Sequence, residues 1–387
     1  MAEEEANSNG NATLKKILLV INCIMLCFGT SGGPLVTRLY FIHGGKRVWL
    51  SSWLETAAWP VIIVPLGISY INRRRRWANS TCERASGLID NSTPPRPLLL
   101  KPFLFVAAAV VGVLTGLDNF IYAYGVARLP VSTSALIIAT QLAFTAAFAF
   151  LLVKQRFTPF SINAIFLLTL GAAVLALHTA SDKPKGESDN AYAMGFVMTL
   201  VAAGLYGFIL PSVELSYKKA KQVITYSLVL EYQLVMCIFA TAFCTVGMLI
   251  NKDFQAISRE AREYGLGEFS YYVVLVANAI AWQCFFLGTV GVIFCASSLS
   301  SGIIIAVMVP VTEVLGVMFY KEKFHVEKGV SVALSLWGFI SYFYGEIKHP
   351  INRDDTGRDH QLPAPIIHAE NERPQPQNDS SGSPDRV

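Results

Sequence analysis

GLDNFIYAYGVARLPVSTSALIIATQLAFTAAFAFLLVK, residues 116–154, reads as two apolar helices joined by a tight turn at 127–130. Each carries polar groups that lipid would reject. Asp118, Asn119 and Tyr122 stand on the first, Thr140, Gln141 and Thr145 on the second. A lone carboxylate on a membrane helix costs about 2.5–3.5 kcal/mol on insertion scales, so such groups face a cavity or a partner. Polar residues also join helices inside bundles, and that simpler role is open to Asn119 and Gln141.

Composition extends this reading to the whole chain. Its 387 residues are 53% hydrophobic and only 15% charged, with mean hydropathy +0.45. A soluble domain carries about 25% charge. The net charge of +4 does not indicate nucleic acid, because the basic residues flank apolar runs. The first run is too long for a signal-peptide core and lacks a small-residue cleavage site, so it is read as a membrane span. Six of the seven cysteines (23, 27, 237, 244, 284 and 295) lie in apolar runs, and Cys82 is expected in a loop. Without CxxC spacing they read as small packing residues.

Ten apolar runs follow one another at 17–36, 49–70, 103–124, 131–153, 162–178, 193–215, 225–250, 273–294, 299–319 and 329–344. The longer ones can cross about 30 Å of hydrocarbon. The expected fold is an all-α membrane protein of ten transmembrane helices. Residues 1–14 and 347–387 are polar and expected to be disordered tails. LLVKQRF (151–157) recurs as MFYKEKF (318–324), 167 residues later. The same offset pairs Ser134 with Ser301, Ile138 with Ile305, Thr145 with Thr312 and Gly171 with Gly338. A weaker match sets GGPLVTRLY (32–40) against ILPSVELSY (209–217). The chain thus divides into a five-helix unit at 15–178, a connecting loop at 179–192 and a second five-helix unit at 193–346. Five is odd, so the halves insert with opposite orientation. Inverted repeats mark secondary transporters with a midplane site between the halves.

Arg73, Arg74, Arg75 and Arg76, followed by Arg84, Arg96 and Lys101, place the segment after the second run in the cytoplasm. An even helix count then puts both termini there. The sequons at Asn11, Asn79, Asn91 and Asn378 are all cytoplasmic in this topology and expected to stay unglycosylated.

No Lys or Arg lies inside the ten runs, whereas Glu55, Asp118, Glu214, Glu231 and Glu313 do. A carrier of phosphates or nucleotide sugars needs fixed positive charge beside its substrate. A neutral or weakly basic substrate fits this chain better. A carboxylate in a partly dry cavity can take up and release a proton during a transport cycle. Glu55, Asp118 and Glu313 are therefore the candidate proton-coupling residues. Glu214, near Lys218, reads as an interfacial ion pair. Helical spacing aligns Glu55 with Trp59 and Asp118 with Tyr122, and Trp282 and Gln283 stand mid-run. A flat heteroaromatic ring can stack on Trp or Tyr while amides bond its edge. Trp59, Asn119, Tyr122, Gln141, Trp282 and Gln283 are the candidate substrate-binding residues. Trp49, Tyr70, Tyr271 and Tyr272, at run ends, read as interfacial belt residues. Gly29, Gly32, Gly33 and Pro34 are expected to weaken the first helix, Pro60 and Pro65 to kink the second, and Gly207 and Pro211 the sixth. Pro310 is expected to free carbonyls near Glu313.

An intramembrane enzyme would need a nucleophile–base pair, a metal set or an aspartyl dyad. The six histidines show no ligand spacing, and neither GxSxG nor HExxH occurs. No enzyme activity, cofactor or metal is expected. The expected partners are a small heterocycle, protons and the bilayer.

Five motifs carry a family resemblance: GGPLVTRLYFIHGGKRVWLSSWLETAAWP (32–60), LDNFIYAYGVARLPVSTSALIIATQLAFTA (117–146), LYGFILPSVELSYKKA (205–220), SSLSSGIIIAVMVPVTEVLGVMFYKEKF (297–324) and LSLWGFISYFYGE (334–346). Over about residues 18–346 the chain resembles the plant purine permeases of the drug/metabolite transporter superfamily. The resemblance implies ten helices, the plasma membrane, and proton-coupled import of adenine-type purines, cytokinins and related nitrogen heterocycles. Glutamine is common in that family where Glu55 stands, so this chain departs there. Asp118, in LDN, and Glu313, in PVTE, are then the stronger proton candidates. A proton-exchanging exporter of cationic aromatic metabolites or alkaloids is the alternative reading.

Overall fold

The computed structural model describes residues 2–84, 98–128, 138, 140–177, 189–320 and 326–348. Among these residues every regular element is a helix, and none is a strand. The helices are α1 (Ala2–Ile42), α2 (Val48–Ala57), α3 (Pro60–Arg84), α4 (Pro102–Val126), α5 (Gln141–Val153), α6 (Pro159–Leu177), α7 (Asp189–Lys219), α8 (Tyr226–Ile250), α9 (Asp253–Glu263), α10 (Glu268–Cys295), α11 (Ser298–Tyr320) and α12 (Val326–Lys348). Seven spans within them are long and apolar enough to cross a membrane, and three shorter apolar helices lie in α5, α6 and α12. The large apolar side chains left exposed, such as Val64, Phe166 and Ile250, suit a lipid solvent.

Local chemistry sets the boundaries. Pro102 opens α4 from its first turn, where its missing N–H costs nothing. Thr225 caps α8 by accepting from the Leu228 N–H at 3.3 Å. Gly267 turns the chain into α10 at φ 89°, a conformation open to a residue without Cβ.

Several boundaries differ from the sequence expectation. α1 is already helical from Ala2, inside the stretch expected to be disordered, although only Lys15–Ile42 qualifies as a span. Its other end passes residue 36 and stops at Ile42, before the Gly44–Gly45 turn. α3 continues through the arginine cluster to Arg84, so Cys82 lies on a helix rather than in a loop. The second run is broken at Ala58–Trp59, because Pro60 has no N–H to continue the ladder. Of the run at 131–153, the described helical residues are 138 and Gln141–Val153, and the C-terminal tail beyond Lys348 lies outside the described residues.

α1 packs along α10 and α11, α4 along α7 and α8, α5 along α7 and α11, and α6 along α12. Small residues permit the closest approaches. A Cβ on Gly29 would sit 2.3 Å from the Phe285 backbone nitrogen, and one on Gly288 would sit 2.4 Å from that of Leu26. Both pairs bring α1 and α10 together backbone to backbone. The glycines expected to weaken α1 therefore join it to α10, and α1 runs unbroken through Pro34.

α9 is a short polar helix that the apolar pattern did not reveal. It faces the α1–α2 connection through a buried polar cluster. Arg47 pairs with Asp253 at 3.3 Å and Glu260 at 3.6 Å. Tyr40 donates to Glu260, as does Tyr271 at 3.2 Å. Tyr271 is thus fully buried, not a belt residue, because its hydroxyl has an acceptor inside the protein. Trp49, also expected in a belt, stacks on Phe120 at 3.8 Å between ring centroids.

Candidate functional site

A cavity of about 670 Å³ lies among α1, α2, α4, α5, α7, α10 and α11. At one end it reaches the exposed Lys46 in the α1–α2 connection. Beyond its other end, the Gly288–Leu26 approach and a Gly291–Asn22 contact bring α1 and α10 together.

Glu55 and Asp118 line the cavity from α2 and α4, at 3% and 6% exposure. With the Asn119 amide turned to satisfy both its polar atoms, Nδ2 donates to Glu55 Oε2 at 3.2 Å and to the Thr115 carbonyl at 2.9 Å. Among the described residues, Asp118 Oδ1 is buried without a hydrogen-bond partner. Such an acceptor calls for a donor from a ligand or a proton of its own. Gln141 lines the cavity at the N-terminus of α5. Thr145, one turn on, returns its hydroxyl to the Gln141 carbonyl at 2.9 Å.

Aromatic rings line the same cavity. Trp282 lies 6.2 Å from Tyr122 and 5.4 Å from Phe285, both edge to face, and Phe285 lies 5.8 Å from Tyr206. All four rings line the cavity. Carboxylates, amides and aromatic rings that line one cavity suit a flat molecule that is polar at its edge.

Six of the nine expected site residues meet here: Glu55, Asp118, Asn119, Tyr122, Gln141 and Trp282. Trp59 does not. The Pro60 break ends the helical register that would have aligned it with Glu55, and it lies outside the lining. Gln283 is buried outside the lining, beside Cys237, which accepts from Gln233 at 3.1 Å. Adjacent helical positions diverge by about 100°, so Trp282 and Gln283 address different neighbours. Glu313 belongs to α11, and its side chain lies outside the described residues. The preceding Thr312 lines the cavity and donates to the Met308 carbonyl at 2.8 Å.

Two other carboxylates have structural partners. Glu214 pairs with Lys218 at 2.9 Å, as expected, and also accepts from the Ser298 N–H that opens α11 at 2.7 Å. Glu231 holds the chain entering α4, accepting from Leu99 at 2.7 Å and Leu100 at 3.0 Å.

The expectation that no fixed positive charge lies within the spans is corrected. α1 continues past residue 36, which brings Arg38 into the span and onto the cavity wall, with Lys46 at the mouth. The Arg38 guanidinium lies over the Tyr320 ring at 5.0 Å, an arrangement that favours a cation away from bulk water. Arg38, Thr37 and Tyr206 were missed as site residues, although each falls in a quoted motif. Reading the first helix as ending at 36 concealed the first two.

Comparison with known proteins agrees with this architecture. Residues 17–351 match the model of a family described by purine nucleobase transmembrane transport. Purine permease 3 of Arabidopsis thaliana is 57% identical over 333 residues, covering 86% of this chain and 92% of that protein. Purine permease 2 of the same plant is 54% identical, covering 87% and 93%. A solved crystal structure with 12% identity shares the fold at a TM-score of 0.57, over 86% of this chain and 98% of that one. With the match spanning nearly all of its apolar helices, the chain belongs to the purine permeases, a family of purine nucleobase transporters.

Proposed function

We propose that this protein is a proton-coupled secondary transporter that imports purine nucleobases and related heterocycles, cytokinins among them. The observation that carries this reading is the pairing of Glu55 and Asp118 with the wall of Tyr122, Trp282 and Phe285 in one cavity. The rings stack the flat substrate, and the amides and carboxylates bond its edge. Asp118, buried with an oxygen unpartnered among the described residues, takes up the coupling proton, with Glu55 beside it. Glu313 remains a third candidate on sequence grounds.

The finer architecture in this reading is ten spans in two inverted halves. The sequence repeat relates α1 to α7, α2 and α3 to α8, α4 to α10, α5 to α11 and α6 to α12. Exchanging the halves turns the α1–α10 contact into α7–α4, α1–α11 into α7–α5, and α4–α8 into α10–α2. All of these contacts occur, as do the self-paired α2–α8, α5–α11 and α6–α12. That correspondence supports a pseudo-twofold arrangement. With both termini cytoplasmic, Lys46 lies outside, and the cavity faces the exterior of a plasma-membrane protein. Arg38 and Lys46 near the entrance favour neutral purines over the export of cationic aromatics.

The test is uptake of labelled adenine into yeast lacking its own purine importer, at acid and neutral pH, with and without a protonophore. Acid-stimulated, protonophore-sensitive uptake competed by cytokinins is expected. Uptake indifferent to pH and protonophore would exclude proton coupling. No uptake by protein shown to be at the surface would exclude adenine import.

A further inference from the structure

Trp282 is held in place by a cradle on α1. Its indole Nε1 donates to Thr37 Oγ1 at 3.2 Å, and Thr37 Oγ1 in turn donates to Asn278 Oδ1 at 2.9 Å. One turn before Thr37, Gly33 lies beneath the ring, and a Cβ there would stand 2.8 Å from Trp282 Cε2 and 3.0 Å from Cδ2. Gly33 and Thr37 are four residues apart, on one helical face, as are Asn278 and Trp282. The α1 face thus offers the indole a flat seat and an acceptor, while Asn278 takes the only proton of the Thr37 hydroxyl. Thr37 and Trp282 both line the cavity, whereas Asn278 is buried outside the lining.

We infer that Thr37 is a positioning residue for purine recognition: with Gly33 and Asn278 it fixes the tilt of Trp282, and so the width of the slot in which the substrate ring stacks. This inference rests on the reading of the cavity as the purine site. Its basis is chemical. A Trp N–H withdrawn from water needs an acceptor, and losing it frees the ring to turn. With its only proton given to Asn278, the hydroxyl has no donor left for the substrate, and the indole takes one of its two acceptor sites. Thr37 therefore acts through Trp282 rather than on the purine. The same cradle accounts for two residues of the GGPLVTRLY motif, Gly33 and Thr37, that hold no carboxylate or charge.

A double-mutant cycle in adenine uptake by the full-length protein tests this. Thr37→Val keeps the shape and removes both hydrogen bonds. It is expected to raise KM about tenfold, with the maximal rate per surface protein changed less than about twofold. Thr37→Ser should restore KM to within about threefold of the wild type, since it keeps the hydroxyl. In a Trp282→Phe background the ring has no N–H to hold, so Thr37→Val should change KM less than about twofold. An equal rise in both backgrounds would overturn the inference, because a purely structural role does not depend on the indole. Should Thr37→Val not reach the surface, Thr37→Ala replaces it in the same cycle; it removes the same two hydrogen bonds, so a cost independent of residue 282 would be equally decisive. Failure of the wild type to take up adenine would overturn the site reading and this inference together; uptake with an additive cycle would overturn the inference alone.

Discussion

Asn119 and Glu55 are joined across two helices: the amide on α4 donates to the carboxylate on α2 at 3.2 Å. The residue before Asn119 is Asp118, whose Oδ1 has no hydrogen-bond partner among the described residues. One carboxylate in the cavity is thus tied by an amide, while its neighbour keeps an oxygen for substrate or proton. This division of labour orders the candidate roles more sharply than their positions in the sequence do.

Asp118→Asn replaces that carboxylate with an amide of nearly equal size. Accumulation of adenine should fall by more than about tenfold, on the scale of one lost hydrogen bond to a charged group. The protein should still reach the membrane, because among the described residues that oxygen ties Asp118 to no neighbouring helix. Uptake at acid and neutral pH, normalised to surface protein, measures this. A wild-type rate with a normal pH profile would remove Asp118 from the mechanism.

Trp59→Ala should leave competition by bulky purines unchanged within about twofold, in line with substitutions away from a site. The reason is the break at Pro60, which separates Trp59 from the cavity that Glu55 lines. Competition of cytokinins against labelled adenine is the measurement. A large selective loss for bulky ligands would return Trp59 to the substrate path.

Asp253, on α9 outside the spans, gives a pH-dependent prediction. Burial holds its carboxyl above the usual carboxylate range, opposed by the Asn251 amide at 2.8 Å and by Arg47. A group raised in the folded state contributes stability below its unfolded pKa and loses it as pH rises through the folded pKa. Wild-type Tm in detergent should therefore carry a decline beginning near about pH 4, the unfolded value. Asp253→Asn should remove that component, leaving a curve about 1–3 °C flatter across the interval. Parallel curves for the two proteins would show that Asp253 does not titrate in this range.

Residue order alone establishes an apolar helical membrane protein with polar groups inside its spans. That much follows from hydropathy, because a backbone in lipid must satisfy its own hydrogen bonds within helices. The motif around Asp118 and Asn119 was legible for the same reason: a carboxylate and an amide in an apolar run have few other uses. Which of these groups share a cavity is set by the packing of helices distant in sequence. Trp59 and Gln283 look as well placed as Trp282 in a list of residues. One proline moved the first off the face of Glu55, and one helical step turned the second toward Cys237. Arg38 came into the site because α1 runs on to the glycine turn, and Arg47 found Asp253 and Glu260 more than 200 residues away. Periodicity reports how a residue stands on its own helix. Which helix faces it depends on side-chain packing between segments distant in sequence, and a single chain read in order does not contain that information.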